Sequence, residues 1–206
     1  MTTTQSTTRV IAVTGTIGSG KSAVLGLFAE YGLRTISADA VARDVVAPGT
    51  PGLDEVVATF GDHVLDETGS LNRARLAQIV FSDDRYRRQL EEITHPRIRA
   101  VILAFVAACV GDGEPAVVIE IPLLTPQSVH DYMIDDVVVV RASAAVSLER
   151  LVQRRGLDPD DAAARLRAQA SQGIGQVEGR WYIENDGDLA SLRNQVVRIV
   201  EEIKDH

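Results

Sequence analysis

Cysteine is nearly missing from this chain: Cys109 is the one thiol among 206 residues. A single cysteine closes no intramolecular disulfide. Cys109 lies inside an apolar run and reads as a small buried hydrophobe in a reducing compartment. No cysteine/histidine cluster has the spacing of a zinc site. Long hydrophobic runs are missing too. The longest, Ala100 to Val110, is eleven residues, which is too short to span a bilayer and suits a buried helix. Met1 to Thr8 holds no apolar stretch, so a disordered tail is expected there rather than a signal peptide, and the protein is expected to be cytoplasmic. Positive charge is in deficit, with 21 Lys and Arg against 29 Asp and Glu and a net charge of −8. That balance argues against nucleic acid or a membrane surface as a general partner. It leaves room for a small polyanion, because arginines cluster at Arg85 to Arg99 and at Arg150 to Arg167. Each cluster is either a solvated helix face or a local anion grip. No N-K-x-D guanine motif occurs. No internal repeat is evident, and no low-complexity segment beyond the tail.

What is present starts with length and apolar content. At 206 residues and 45% hydrophobic, the chain suits one α/β domain with a smaller inserted subdomain. Gly15-Thr16-Ile17-Gly18-Ser19-Gly20-Lys21-Ser22 reads G-x-x-x-x-G-K-S, a loop that cradles nucleotide phosphates. An apolar, β-branched run, Arg9 to Thr14, precedes it, and Ala23 to Glu30 follows with helical apolar spacing. Strand, loop and helix are the order the motif needs. Glycines let the backbone curl around phosphate oxygens with N–H groups turned inward, and the new helix points its positive end at the same anion. In such a loop Lys21 reaches the β- and γ-phosphates of ATP and the Ser22 hydroxyl ligates Mg²⁺.

Further strands are expected at Leu33 to Ser37, Ala116 to Ile121, Asp136 to Val140 and Trp181 to Glu184. Helices are expected between them, so the core is a parallel sheet covered on both faces. Pro48-Gly49-Thr50-Pro51-Gly52 is a breaker. Beyond it the pattern is helical, at Leu53 to Phe60, Asn72 to Phe81, Asp84 to Ile93 and Arg97 to Val110. A helix at Ala142 to Arg155 and a second from Pro159 to Ser171 form another excursion, followed by a flexible break at Gly173 to Gly175. Leu189 to Lys204 closes the chain as an amphipathic helix. Asp39 stands just past the second strand, at the sheet edge where α/β folds hold ligands; it is either a helix N-cap or a chemical group. Glu120 ends the third strand and is either near a metal or an ordinary solvated carboxylate. Asp66 to Gly69 formally fits the D-x-x-G of GTPases, but in a helical segment rather than at a strand end.

Several separated segments together resemble the dephospho-coenzyme A kinase family, P-loop kinases of the nucleoside-monophosphate-kinase type. They are Thr14 to Ser22; Ala38-Asp39 with Ala42-Arg43; Phe60-Gly61; Gly69 to Arg73 with Leu76 and Phe81; His95-Pro96; Ile121-Pro122-Leu123-Leu124; Arg150-Leu151 with Arg154 or Arg155, Arg165 and Gln169; and Asn185-Asp186-Gly187. The chain departs from the family pattern at Thr16, at Ser37 for the first aspartate of D-A-D, at Ala23, at Thr125-Pro126 and at Gly179-Arg180.

The resemblance implies a P-loop three-layer α/β fold with a five-stranded parallel sheet. Residues 9–47, 112–149 and 176–206 would form the nucleotide-binding core, 48–111 a helical acceptor-binding insert and 150–175 a helical lid. It implies phosphorylation of the ribose 3′-hydroxyl of dephospho-CoA by ATP with Mg²⁺. Asp39, Lys21 and Arg150 are the catalytic candidates. Gly15, Gly18, Ser19, Gly20, Lys21, Ser22, Ala23, Arg154 and Asn185 are candidates for the nucleotide. Asp39, Arg43, His95, Arg99, Pro122 and Leu123 are candidates for the acceptor, with Arg97 beside His95, and Ser22 for the metal. His95 is otherwise a buried helix-end histidine. A small-molecule partner and a monomer or weak homo-oligomer are expected. The rival readings are another small-molecule P-loop kinase acting on a nucleoside monophosphate or sugar acid, a nucleotide-dependent switch, and an inactive relative.

Overall fold

Stretches of valine and isoleucine, stiff at χ1 and well packed on a pleated surface, build one sheet. A computed structural model describes residues 8–171 and 178–205. The strands are β1 (Arg9–Gly15), β2 (Arg34–Ser37), β3 (Ala116–Glu120), β4 (Asp136–Arg141) and β5 (Trp181–Glu184). They are all parallel, in the order β2-β3-β1-β4-β5. The helices are α1 (Lys21–Glu30), α2 (Ala38–Asp44), α3 (Pro51–Phe60), α4 (Arg73–Ser82), α5 (Asp84–Gly111), α6 (Pro126–Asp131), α7 (Ala144–Arg155), α8 (Pro159–Ser171) and α9 (Leu189–Lys204). The expected break at Gly173 to Gly175, and the first seven residues of the expected tail, lie outside the described residues.

The chain forms two compact units, one of residues up to Ser37 together with Phe105 onward, the other Ala38–Ala104. In the first, alternate strand residues send Ile11, Val13, Val118, Val138, Val140 and Ile183 to one sheet face. There they pack with Val24, Leu27 and Phe28 of α1 and Val196, Ile199, Val200 and Ile203 of α9. In the second, Val46, Val56, Phe60, Val64, Leu76 and Ile93 make a separate cluster. Thr50 caps α3 by accepting from the Leu53 amide, with Pro51 at the first helical position, where a missing N–H costs nothing.

Three expectations change. The helices expected on either side of Pro96 are one helix, α5, of 28 residues with Pro96 inside it. Proline removes an intrahelical donor and crowds the preceding turn. The carbonyl it fails to serve is that of Glu92; the neighbouring carbonyls of Ile93 and Leu90 accept from Arg97 Nη1 at 2.6 Å and Thr94 Oγ1 at 2.8 Å. The Ala100 to Val110 run is buried on one stripe only. Ile98, Ile102, Val106 and Cys109 are covered, while Val101 and Val110 are exposed. By length and composition the joined helix is also long and apolar enough to cross a membrane, which the eleven-residue run alone was not. Helix α6 was not expected. Its start is written in Thr125 and Ser128, which form a reciprocal capping box.

The parallel register brings the carboxyl ends of the strands to one edge. Ser37 pairs with Glu120, Val13 with both Glu120 and Val138, and Gly15 with Val140. The glycine loop leaves β1 at that edge, in the middle of the sheet.

Candidate active site

The loop takes its shape from backbone chemistry. Its positive φ angles fall on Gly15, Gly18 and Gly20 and not on Thr16, so threonine fits where the family pattern has glycine. Gly15 is closed in from the side: a Cβ there would stand 2.1 Å from the Val140 carbonyl. Lys21 Nζ folds back and donates to the carbonyls of Gly15 and Thr16, both at 2.9 Å. Its ammonium therefore stands over the loop that α1 opens from. Ala23 begins the helical bonding, its amide donating to Gly20.

Beside the loop, the Ser22 hydroxyl donates to Glu120 Oε1 at 3.0 Å. Glu120 is 6% exposed. A carboxylate so buried requires donors or a cation to offset its lost hydration. The reading of Glu120 as an ordinary solvated carboxylate is thereby overturned. Pro122 and Leu123 follow at the same edge, Pro122 half-buried and Leu123 exposed.

A second group of side chains supports the loop from behind. Asn185, past the end of β5 and 5% exposed, donates from Nδ2 to the Ser19 carbonyl at 2.7 Å. Arg150, from α7, donates to the Asn185 carbonyl at 2.8 Å and to the Ser19 carbonyl at 3.3 Å. Arg150 and Asn185 thus grip the loop's backbone. Gln169, on α8, accepts from the Ile17 amide at 2.7 Å. Arg154, one turn beyond Arg150, is exposed; the side chain of Arg155 lies outside the described residues.

In the Ala38–Ala104 unit, Asp39 is exposed in the first turn of α2. The helix starts at Ala38, so Asp39 lies inside it and the N-cap reading fails. A carboxylate there still benefits from the helix dipole. Arg43, in the last turn of α2, is exposed. His95 is exposed in the middle of α5, which removes the alternative of a buried helix-end histidine. Arg99 is exposed on the same helix. Arg97, by contrast, is engaged with Glu55 at 2.6 Å and with the Ile93 carbonyl.

The departures from the family pattern resolve locally. Thr125 caps α6. Asn72 caps α4 by accepting from the Arg75 amide. Gly179-Arg180 precede β5 at the amino side of the sheet, away from the loop's edge. Arg180 there stands over the Trp181 ring at 4.8 Å and reaches Asp136 at 3.5 Å. The Asp66 to Gly69 turn is internally satisfied. Asp66 Oδ1 accepts from Thr68 and Ser70, and these hydrogen bonds, Thr68 first, hold its carboxyl below the usual carboxylate range.

Two residues of this arrangement were not picked out as site candidates from the sequence. Glu120 carried a signal, an acid ending an apolar strand, but a neutral one. Gln169 carried none beyond its place in the resemblance.

The family model described as dephospho-CoA kinase matches residues 9–191. A dephospho-CoA kinase of Symbiobacterium thermophilum is 42% identical over 188 residues, covering 91% of this chain and 78% of that one. A solved Thermus thermophilus structure superposes with a TM-score of 0.79 at 28% identity, covering 95% of this chain and 97% of that one. The dephospho-CoA kinase from Campylobacter jejuni does so with a TM-score of 0.69 at 28% identity and the same coverage. The glycine loop and these likenesses agree, and the chain belongs to the dephospho-CoA kinase family.

Proposed function

We propose that this protein transfers the γ-phosphoryl of ATP to the ribose 3′-hydroxyl of dephospho-CoA, giving CoA and ADP, as a soluble cytoplasmic enzyme that is a monomer or weak homo-oligomer. The observation that carries the reading is the Ser22–Glu120 hydrogen bond at 3.0 Å beside a glycine loop crowned by Lys21. Phosphoryl transfer asks a protein mainly for positioning and charge neutralisation.

Gly15, Gly18, Ser19, Gly20, Lys21, Ser22 and Ala23 line the triphosphate site, and the Lys21 ammonium holds the triphosphate there. A hydroxyl and one carboxylate suit Mg²⁺, which takes its remaining oxygens from phosphates and water. Ser22 and Glu120 would hold it, and when bound it neutralises charge on the β- and γ-phosphates. Asp39 accepts the proton of the 3′-hydroxyl or orients it. Arg150 and Arg154 supply positive charge from the lid, residues 150–175. Asn185 keeps the loop in shape. Residues 48–111 grip the acceptor, with His95 and Arg99 toward its pyrophosphate and Arg43, Pro122 and Leu123 completing its site.

The test is ADP release with dephospho-CoA, AMP, CMP, shikimate and gluconate as acceptors. Turnover with dephospho-CoA well above the rest is the expected result. Preference for any other acceptor, or loss of nothing on Lys21→Ala, refutes the proposal.

A further inference from the structure

One amide of the glycine loop faces a side chain of a later helix. The Ile17 N–H donates to Gln169 of α8 at 2.7 Å. Because the partner is a donor, the atom that meets it is the carbonyl oxygen of the glutamine amide, which settles the orientation that such amides otherwise leave ambiguous. The NH₂ group is then on the other arm, about 2.2 Å from that oxygen by amide geometry and so within roughly 5 Å of the Ile17 nitrogen. Among the described residues it donates to none. Two N–H donors thus stand against the phosphate-cradling loop with their direction fixed by the loop itself.

The helix explains how the side chain arrives there. Ala162, fully buried, and Leu166 and Gln169, both half-buried, recur at four and three residues. They form the inner stripe of an amphipathic helix. A glutamine ends a stripe whose other members are apolar. A leucine or methionine would continue the packing there; only an amide both accepts from Ile17 and keeps donors to spare.

We propose that Gln169 is a nucleotide-contacting residue: Ile17 holds its oxygen, and its Nε2 donates to the phosphate chain of ATP. The loop's own amides form the floor of the phosphate site, and Ile17, whose N–H is turned away from that floor, is extended by the glutamine into a pair of donors carried on α8. Lid and loop then bind the same anion through one amide plane. The inference rests on the kinase reading for its anion, but it concerns ATP and not the acceptor.

The test compares Gln169→Glu and Gln169→Ala in the full chain. Glutamate still accepts from the Ile17 amide but offers no donor and sets a negative charge beside the triphosphate. Hydrogen exchange of the Ile17 amide should therefore stay slow in Gln169→Glu, while its ATP dissociation constant, measured calorimetrically with Mg²⁺, rises roughly ten- to hundredfold, the range of a lost bond to a charged group. Gln169→Ala should lose both the protection and the affinity. Near-native ATP affinity in Gln169→Glu, with Ile17 protected, overturns the proposal and leaves the glutamine a prop for the loop. Failure of the wild-type protein to turn over dephospho-CoA would strike the acceptor assignment alone, since ATP affinity is measured without it.

Discussion

Replacing Gly20 by alanine isolates what the support behind the loop contributes. Gly20 has φ +96°, and a Cβ there would meet Asn185 Nδ2 at 2.1 Å. The strain of that backbone for a residue with a Cβ is about 1–2 kcal/mol. The overlap is relieved only if Asn185 withdraws, which breaks its 2.7 Å bond to the Ser19 carbonyl. Losing that bond and leaving the buried Asn185 amide unpaired costs about 1–3 kcal/mol, although Arg150 still donates to the Ser19 carbonyl at 3.3 Å. Gly20→Ala should therefore destabilise by about 2–5 kcal/mol, a fall of roughly 4–20 °C in Tm for a domain of this size. Asn185→Ala forfeits the same bond and should cost about 1–3 kcal/mol. In the double variant that bond is lost once, not twice. The double change should thus fall short of the sum of the single changes by about 1–3 kcal/mol in urea unfolding. Additivity within about 0.5 kcal/mol would mean the two residues do not share the bond, and the reasoning fails.

Asp39→Asn should lower kcat strongly while ATP binding survives; an unchanged kcat removes Asp39 as the base. Glu120→Gln should raise the Mg²⁺ concentration needed for half-maximal rate by tenfold or so, about 1.4 kcal/mol, in a metal titration at saturating ATP; an unshifted midpoint separates Glu120 from the ion. Asp66 has its carboxyl pKa lowered by the Thr68 and Ser70 bonds. Its contribution to stability is whole above the ordinary value near 4 and fades as pH falls through the lower folded value. The Tm gap between wild type and Asp66→Asn should accordingly be open at about pH 7 and narrow as pH falls below the ordinary carboxylate range; a gap constant with pH contradicts the assignment.

How much of this was legible in the chain follows from where the information lies. The strands and the loop are local signals: β-branched runs, then glycines in register with Lys21 and Ser22. The parallel sense of the strands follows from alternation of strand and helix, whereas their order is set by tertiary packing and has no local signal. Pro96 misled because a proline removes one helical donor and crowds one turn, a local cost that the remaining bonds of a 28-residue helix and its buried stripe outweigh. Helix α6 was hidden by its shortness, although Thr125-Pro126 announced a start. The apolar run after Pro96 told of burial but not that only one stripe would be covered. Asn185 was selected for its resemblance to a family element and not for its grip on Ser19, since nothing local connects residues so far apart. Gln169 is the same case: an amide on an amphipathic helix is unremarked until the fold sets it against Ile17.

The Asn185–Ser19 bond joins positions 166 residues apart. A ribosome delivers the loop's own sequence early and its brace almost last, at about 5–20 residues each second. For that interval of roughly ten to thirty seconds the nascent chain carries a complete glycine motif whose final shape awaits β5. Nucleotide affinity should accordingly appear late in synthesis and abruptly, and chains stalled before Asn185 should be unable to capture ATP at full strength. A motif written in eight consecutive letters becomes a binding site only when the far end of the message has been read.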